Sequence, residues 1–351
     1  MTSIRKPQVV HPSSARNALG LTLRDYEGSM STLCAGCGHD SVTAALVRAF
    51  FELDVPPHGV AKLSGIGCSS KTPFYFLAGS HGFNSAHGRM PALATGAAAA
   101  NRDLLYVGIS GDGDSLSIGL GHLCHAIRRS LKMLYVIENN GVYGLTKGQF
   151  SASSDFGSKS KRGEPNPQRP IDPAMLSLSL GATFIARSFS GDKEQLVPIL
   201  KAAIRHRGFA LVDVISPCVT FNDHEGSTKS YAHTRKNSLR VLQADFVPPE
   251  EEITASYPEG STITVRLHDD SEVRFTKVSS DYDPRDRSNV WKRLHDWQSE
   301  GVVPTGLLFI DETLGDMHEM NHTVAGPLAA VPYEELCQGS AALDDLMKKY
   351  R

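Results

Sequence analysis

The sequence predicts an α/β protein built on a mostly parallel sheet with helices on both faces, followed by a small C-terminal α+β extension. Three observations predict it. Short, largely apolar runs at Val60 to Ser64, Leu104 to Ile109, Met133 to Ile137 and Phe209 to Ile215 have strand length without in-out alternation, the pattern of strands covered on both faces. Helix-length segments separate them, among them Leu116 to Arg129, with Leu116, Leu120, Leu123, Cys124 and Ile127 on one side. Glycine-rich turns, Gly65-Ile66-Gly67 and Gly111-Asp112-Gly113, follow two of the strands at the ends where open α/β sheets bind ligands.

In chain order, residues 1–32 read as an N-terminal arm and 33–245 as the α/β domain, opened by a helix from Asp40 to Leu53. The polar stretch Ser151 to Pro170 is long for a plain connection and predicts a lid or a subunit-contact loop. Asp172-Pro173 caps and starts a helix reaching Leu180. Strand, helix and strand follow at Thr183 to Phe189, Lys193 to His206 and Phe209 to Ile215, and the core closes near Asn222. Residues 246–351 form the extension: Pro248 to Glu252, then Ile263, Val265, Leu267 and Val273, Phe275 alternating about a turn at His268 to Ser271 as a β-hairpin, then amphipathic Val290 to Trp297 and Ala341 to Tyr350. No internal repeat is present.

The 351 residues suit about two domains, or one large domain with an extension. A net charge of −2 gives no footprint for nucleic acid, and the basic cluster Lys159, Lys161, Arg162 and Arg169 is too local to make one. No run of apolar residues is long enough for a membrane span, and the N-terminus lacks the core of a signal peptide. Six cysteines without an export signal fit a reducing compartment, so the cytoplasm is expected.

The strand-helix-strand unit around Gly111-Asp112-Gly113-Asp114 carries the chemistry. Both strands point the same way, so Asp112, after the first, and Asn140 of Asn139-Asn140, after the second, emerge at one edge. A carboxylate, an amide oxygen and a carbonyl from the next turn supply half of an octahedral Mg²⁺ shell, and a diphosphate and water complete it. Gly111 and Gly113 allow close backbone approach, and the following helix presents free N–H groups to an anion. This spacing resembles a thiamine diphosphate site; alone, Gly-Asp-Gly is also ordinary turn chemistry.

Four cysteines are placed to converge. Cys34-Ala35-Gly36-Cys37 precedes the first helix, where nearby N–H groups are expected to lower the thiol pKa, and Cys68 and Cys218 follow strands at their carboxyl ends. Four thiolates suit a structural Zn²⁺ or a 4Fe-4S cluster, and a thioredoxin-like redox pair is a third reading. Cys124 reads as a small core residue, and Cys337 lies in a late polar region.

Taken together, Cys34-x-x-Cys37-Gly38-His39, Gly65-Ile66-Gly67-Cys68-Ser69-Ser70-Lys71, His87-Gly88-Arg89, Gly111-Asp112-Gly113-Asp114, Asn139-Asn140, Tyr143 to Gln149 and Ser216-Pro217-Cys218 resemble the β subunits of 2-oxoacid:ferredoxin oxidoreductases, the 2-oxoglutarate enzymes in particular. The motifs run in order from Leu33 to Asn222. The resemblance implies a thiamine diphosphate-binding fold, a 4Fe-4S cluster on Cys34, Cys37, Cys68 and Cys218, and Mg²⁺ on Asp112, Asn140 and the Val142 carbonyl. It implies thiamine diphosphate contacts from Ile66, Gly67, Cys68 and Ser69, from His87, from Gly113 and Asp114, and from Gly144 and Leu145. It further implies CoA-dependent oxidative decarboxylation with transfer to external ferredoxin, and an (αβ)₂ heterotetramer whose α subunit supplies the carboxylate that activates the cofactor.

Lys71 and Lys147 are placed to pair the distal carboxylate of 2-oxoglutarate, or else to meet diphosphate, CoA or solvent. His87 is expected to act on the cofactor, while Arg89 stays unassigned. Competing readings are the same chemistry on pyruvate or another 2-oxo acid, a non-oxidative thiamine enzyme with a zinc site, and a zinc-stabilised binding module without chemistry.

Overall fold

The computed structural model describes Lys6 and residues 9–160, 163–242, 262–266, 272–276, 282–337 and 339–350. Helix α1 (Gly38–Glu52) leads into β1 (Val60–Ser64) and the short strand β2 (His81–Asn84), followed by α2 (Met90–Ala100), β3 (Leu105–Gly111), α3 (Leu120–Arg128) and β4 (Met133–Asn139). A small hairpin of β5 (Val142–Tyr143) and β6 (Gln149–Phe150) precedes α4 (Pro173–Leu180), β7 (Phe184–Phe189), α5 (Lys193–Arg205), β8 (Phe209–Ile215), α6 (Tyr231–Asn237) and β9 (Ser238–Leu242). The rest comprises the hairpin β10 (Thr262–Arg266) and β11 (Glu272–Thr276), then α7 (Arg287–Ser299), β12 (Val303–Ile310), α8 (Met317–Asn321), α9 (Tyr333–Leu336) and α10 (Gly339–Lys348).

Among the described residues the main sheet has the order β2-β1-β3-β4-β8-β7-β12-β9. It is parallel from β2 to β7; β12 then runs antiparallel to β7 and parallel to β9. Both faces are covered, which is why the central strands read as apolar runs. Successive residues of β4 serve opposite cores: Leu134 and Val136 pack with α1 and α5, while Met133, Tyr135 and Ile137 pack with α2, α3, α4 and α7. Gly108 in β3 lets α2 approach, since a Cβ there would lie 2.6 Å from Met90 Sδ.

Asp172 caps α4 as its Asp-Pro start predicts, accepting from the N–H groups of Ala174 and Met175 at 2.8 and 3.1 Å. Two expectations change, and the arm, whose packing the sequence left open, takes its place. The helix after Gly-Asp-Gly is not regular from Leu116: residues Gly113–Ile118 form a π-helical turn before α3, a distortion common at functional sites. The arm packs on the core, with Tyr26 fully buried and bonded by Asn17 at 2.7 Å. The boundary at 245/246 also fails to separate two sheets, because β12 from the expected extension pairs with β7, with one register shift between Leu307 and Phe309. The hairpin at β10 and β11 forms as expected, its turn and Pro248 to Glu252 lying outside the described residues. No described helix is long and apolar enough to cross a membrane.

Candidate active site

The ends of β1, β3 and β4 bring the expected oxygen ligands together. Asp112 is 1% exposed, and its Oδ1 accepts from the Asn140 N–H at 3.3 Å. Its Oδ2 accepts from Ser153 Oγ at 2.6 Å and from Ser151 Oγ. Burial raises the Asp112 pKa, against the pull of those donors. None of these partners is a cation, so the carboxylate has the donor chemistry and the uncompensated charge that a divalent ion would satisfy. Asn140 and Val142 line the same small cavity, of about 20 Å³, with His39, Ile66, Gly67, Cys68, Ser69, Gly113, Asp114 and Gly144.

Asp114 is spent on protein contacts. Its carboxylate accepts from Ser110 Oγ and from the Gly88 N–H, both at 2.7 Å, and from the Ile66 backbone. One side chain thus ties the glycine turn after β1 to His87-Gly88-Arg89 and to Gly111-Asp112-Gly113, and burial raises its pKa. Two glycines leave room for this junction: a Cβ on Gly65 would lie 2.2 Å from Asp114 Oδ2, and one on Gly113 would lie 2.4 Å from the Tyr143 ring. Tyr143 also donates to the Gly113 carbonyl at 2.8 Å.

The cysteines gather beside this cavity. A Cβ on Gly144 would lie 3.4 Å from Cys218 Sγ and 3.6 Å from Cys68 Sγ, so strand ends far apart in sequence meet there. Gly38 N–H donates to Pro217 O at 3.4 Å, and Thr220 Oγ1 donates to Cys34 Sγ at 3.8 Å, which brings the Cys34-x-x-Cys37 turn alongside. Among the described residues, no group of three or more His, Cys, Asp or Glu is arranged to hold one metal ion. The expected lowering of thiol pKa is overturned: burial pushes Cys37 up to about 12, aided by the charges of Glu138, Cys218 and Asp40, and raises Cys68 and Cys218 as well. Cys124 lies apart from them in α3 and is half-buried rather than core.

The remaining expected residues sit at the rim. His87 and Leu145 are exposed, Lys71 is half-buried beside Cys68, and Lys147 is exposed with φ of 77° between β5 and β6. The stretch from 151 is well anchored at its start, with Ser151, Ser153 and Ser154 buried, while Phe156 is exposed; Lys161 and Arg162 lie outside the described residues.

Sequence reading missed a buried set behind the site. Glu138 is fully buried in β4, accepts from Thr72 Oγ1 at 3.0 Å and lies 3.7 Å from His39 Nδ1, which is 2.6 Å from Ser216 Oγ. Burial raises the Glu138 pKa and pushes His39 down to about 4, in each case against the charged form. Lys62 donates to the carbonyls of Pro73, Phe76 and Leu77 at 2.6, 2.5 and 2.9 Å, fixing the turn after Cys68. The signal was present: an ionisable residue inside an apolar strand is rarely buried without a partner.

Residues 65–214 match the family described as thiamine pyrophosphate enzyme, C-terminal TPP binding domain. The chain is 44% identical over 223 residues to a 2-oxoacid:ferredoxin oxidoreductase subunit beta from Sulfolobus sp, covering 62% of this chain and 72% of that protein. It is 44% identical over 192 residues to 2-oxoglutarate oxidoreductase subunit KorB of Mycobacterium tuberculosis, covering 54% and 51%. Among solved structures it is similar to a 2-oxoglutarate:ferredoxin oxidoreductase from Magnetococcus marinus with 2-oxoglutarate, coenzyme A and succinyl-CoA bound, at a TM-score of 0.69 and 29% identity over 89% of this chain and 97% of that one.

Proposed function

Because this chain belongs to the family of 2-oxoacid:ferredoxin oxidoreductase β subunits, we propose that it carries half of an active site for CoA-dependent oxidative decarboxylation of 2-oxoglutarate to succinyl-CoA and CO₂, with ferredoxin as acceptor. The observation that carries the reading is the meeting of Cys68 and Cys218 at Gly144, beside the buried Asp112 and Asn140.

Asp112, Asn140 and the Val142 carbonyl would hold Mg²⁺ against the diphosphate, with Ile66 to Ser69, Gly113 and Gly144 forming the wall that receives the cofactor. Asp114 would act through its backbone, since its carboxylate holds Ile66 and Gly88. Bound thiamine diphosphate would supply an electron sink for the loss of CO₂ from a 2-oxo acid, and Cys34, Cys37, Cys68 and Cys218 would hold a 4Fe-4S cluster able to accept electrons singly. Cys68 and Cys218 meet at Gly144 with the Cys34-x-x-Cys37 turn alongside, and transfer to ferredoxin calls for a redox-active cluster, a role that zinc, which has no redox chemistry, does not fill. Lys71 and Lys147, on the rim, would pair the distal carboxylate of 2-oxoglutarate, and His87 would reach the cofactor from the same side.

The cavity of about 20 Å³ is open on one side and by itself far too small for thiamine diphosphate. An α subunit would supply the opposite wall, and exposed Phe74, Leu145, Phe156 and Val219 suit a surface that another chain covers. The test is anaerobic purification with the α subunit, followed by iron and acid-labile sulfide analysis and CoA-dependent reduction of a viologen dye. The expected result is a brown protein that turns over 2-oxoglutarate in preference to pyruvate, and an Asp112→Ala variant that retains iron but loses Mg²⁺ and activity. A colourless zinc protein would sink the cluster assignment, and pyruvate preference would sink the substrate assignment alone.

A further inference from the structure

Asp112 is gripped from behind by a buried chain of side chains that no part of the proposed reaction uses. Ser153 Oγ, which donates to Asp112 Oδ2 at 2.6 Å, also lies 2.9 Å from Asn139 Oδ1. Asn139 Nδ2 donates to Asp213 Oδ1 at 3.0 Å, Arg187 Nε donates to Asp213 Oδ2 at 2.7 Å, and Arg187 Nη2 donates to Asp172 Oδ1 at 2.7 Å. Asp112, Ser153, Asn139, Asp213 and Arg187 are each 6% exposed or less. The stretch from Ser151 to Asp172 therefore begins on Asp112 and ends on Arg187, and both ends join one network.

We infer that Ser151 and Ser153 are positioning residues that dedicate Asp112 Oδ2 to hydroxyl donors and leave Oδ1 to meet a divalent cation, with Arg187, Asp213 and Asn139 holding Ser153 in place. The inference rests on the reading of Asp112 as a Mg²⁺ ligand. A free carboxylate can rotate and offer either oxygen, or both. Two hydroxyls on Oδ2, one of them also beside Asn139, remove that freedom, and the Asn140 N–H on Oδ1 turns that oxygen toward the second expected ligand. The single Ser153 proton is shared between Asp112 Oδ2, the stronger acceptor at 2.6 Å, and Asn139 Oδ1 at 2.9 Å, so Asn139 steers the hydroxyl while the carboxylate takes the larger part of the bond. Arg187 explains why this geometry survives burial: its planar fork spans two carboxylates that a lysine could not bridge in the same way. Outer partners of a metal ligand set its orientation, and their loss weakens binding by about 10- to 100-fold.

The experiment measures Mg²⁺ binding by equilibrium dialysis on the full enzyme, with thiamine diphosphate in excess and iron content recorded alongside. Ser151→Ala/Ser153→Ala should raise the Mg²⁺ concentration for half-saturation by about 10- to 100-fold with iron content unchanged. Ser153→Thr, which keeps a hydroxyl, should stay within about threefold of the parent protein. Should the double variant fail to fold, Ser151→Ala alone carries the test, with a weakening of several-fold expected. Binding within threefold of the parent in the alanine variants, or an equal loss in Ser153→Thr, overturns the inference. A parent protein that holds no Mg²⁺ removes the reading of Asp112 itself, and with it this role for the serines.

Discussion

At one edge of the sheet, Asp112 and Asn140 sit at the ends of adjacent parallel strands with 1% and 6% of their surface exposed, whereas Cys34, Cys37 and Cys218 sit on loops and are exposed or half-buried. The oxygen set is held by hydrogen bonds within the protein: the Asn140 N–H on Asp112, two serines behind it, and Asn222 on the Asn140 carbonyl. Around the sulfurs the contacts come mostly from each loop's own backbone, Thr220, Phe221 and Asn222 on Cys218 and His39 on Cys37, with Thr220 Oγ1 reaching across to Cys34 Sγ at 3.8 Å. Burial also raises the thiol pKa of Cys37, Cys68 and Cys218. On the proposed assignment, an oxygen set braced in this way would lose and regain Mg²⁺ at little structural cost, while the thiols would have to release protons and order their loops as a cluster formed.

The largest effect expected from this contrast is at the cysteines. Cys218→Ser should remove the cluster and loosen both the Cys34-x-x-Cys37 turn and the 218–222 segment, whereas Mg²⁺ removal should leave 139–142 ordered. Hydrogen exchange on the two preparations checks it: fast exchange confined to the cysteine loops in the variant, and no comparable change after chelation of Mg²⁺. Equal loosening in both cases would erase the distinction between a preformed and an assembled site.

The oxygen set was legible in the sequence because its spacing follows from secondary structure: a strand, a crossover helix and a second parallel strand put Asp112 and Asn140 side by side by topology alone. The bounds of β1, β8 and α4 were read to the residue because apolar runs and an Asp-Pro cap mark them. β2 was not, since His81 to Asn84 is short, carries a glycine and is exposed along its length. The joining of β12 to β7 depends on tertiary pairing that no local pattern encodes. Ser151 and Ser153 gain their role only by burial against Asp112, and serine is too common in loops to announce it. Lys62, Glu138, Arg187 and Asp213 were visible as charges inside apolar strands, a signal that names a buried partner without saying which.

A smaller effect lies between the two sets, at His39. Its folded-state pKa of about 4 stands below the ordinary 6.5, so below pH 6.5 the unfolded chain binds a proton that the folded chain refuses. The stability this contributes is whole above pH 6.5 and is lost as pH falls to 4, amounting to about 3 kcal/mol at the acid limit. Glu138 works in the opposite direction: its raised pKa makes the folded chain keep a proton the unfolded chain has released, so its burial weighs against stability as pH rises above 4.5. Urea melts of the parent protein and of His39→Gln at pH 7.5 and pH 5 check the sign. The variant should lose the steeper part of the acid decline, and an unchanged decline would move its origin to other groups.

The last effect falls on a side chain that joins the two sets directly, Asn222. Asn222 follows Cys218 by one turn, its N–H bonded to the Cys218 carbonyl at 3.0 Å, and its Nδ2 donates to the Asn140 carbonyl at 2.7 Å. The fit is close, because a Cβ on Gly141, where φ is 70°, would lie 2.7 Å from that nitrogen. Asn222→Ala leaves a buried carbonyl without its donor and should cost about 1–3 kcal/mol. Asn222→Asp should cost more, because it keeps the shape but points an acceptor at an acceptor. If the bond also transmits order from the cysteine loop to the metal loop, the aspartate variant should weaken Mg²⁺ binding in the cluster-loaded protein, and in cluster-free protein the difference between parent and variant should shrink. Equal weakening in both preparations would make Asn222 a local prop of Asn140 and leave the two ligand sets energetically independent.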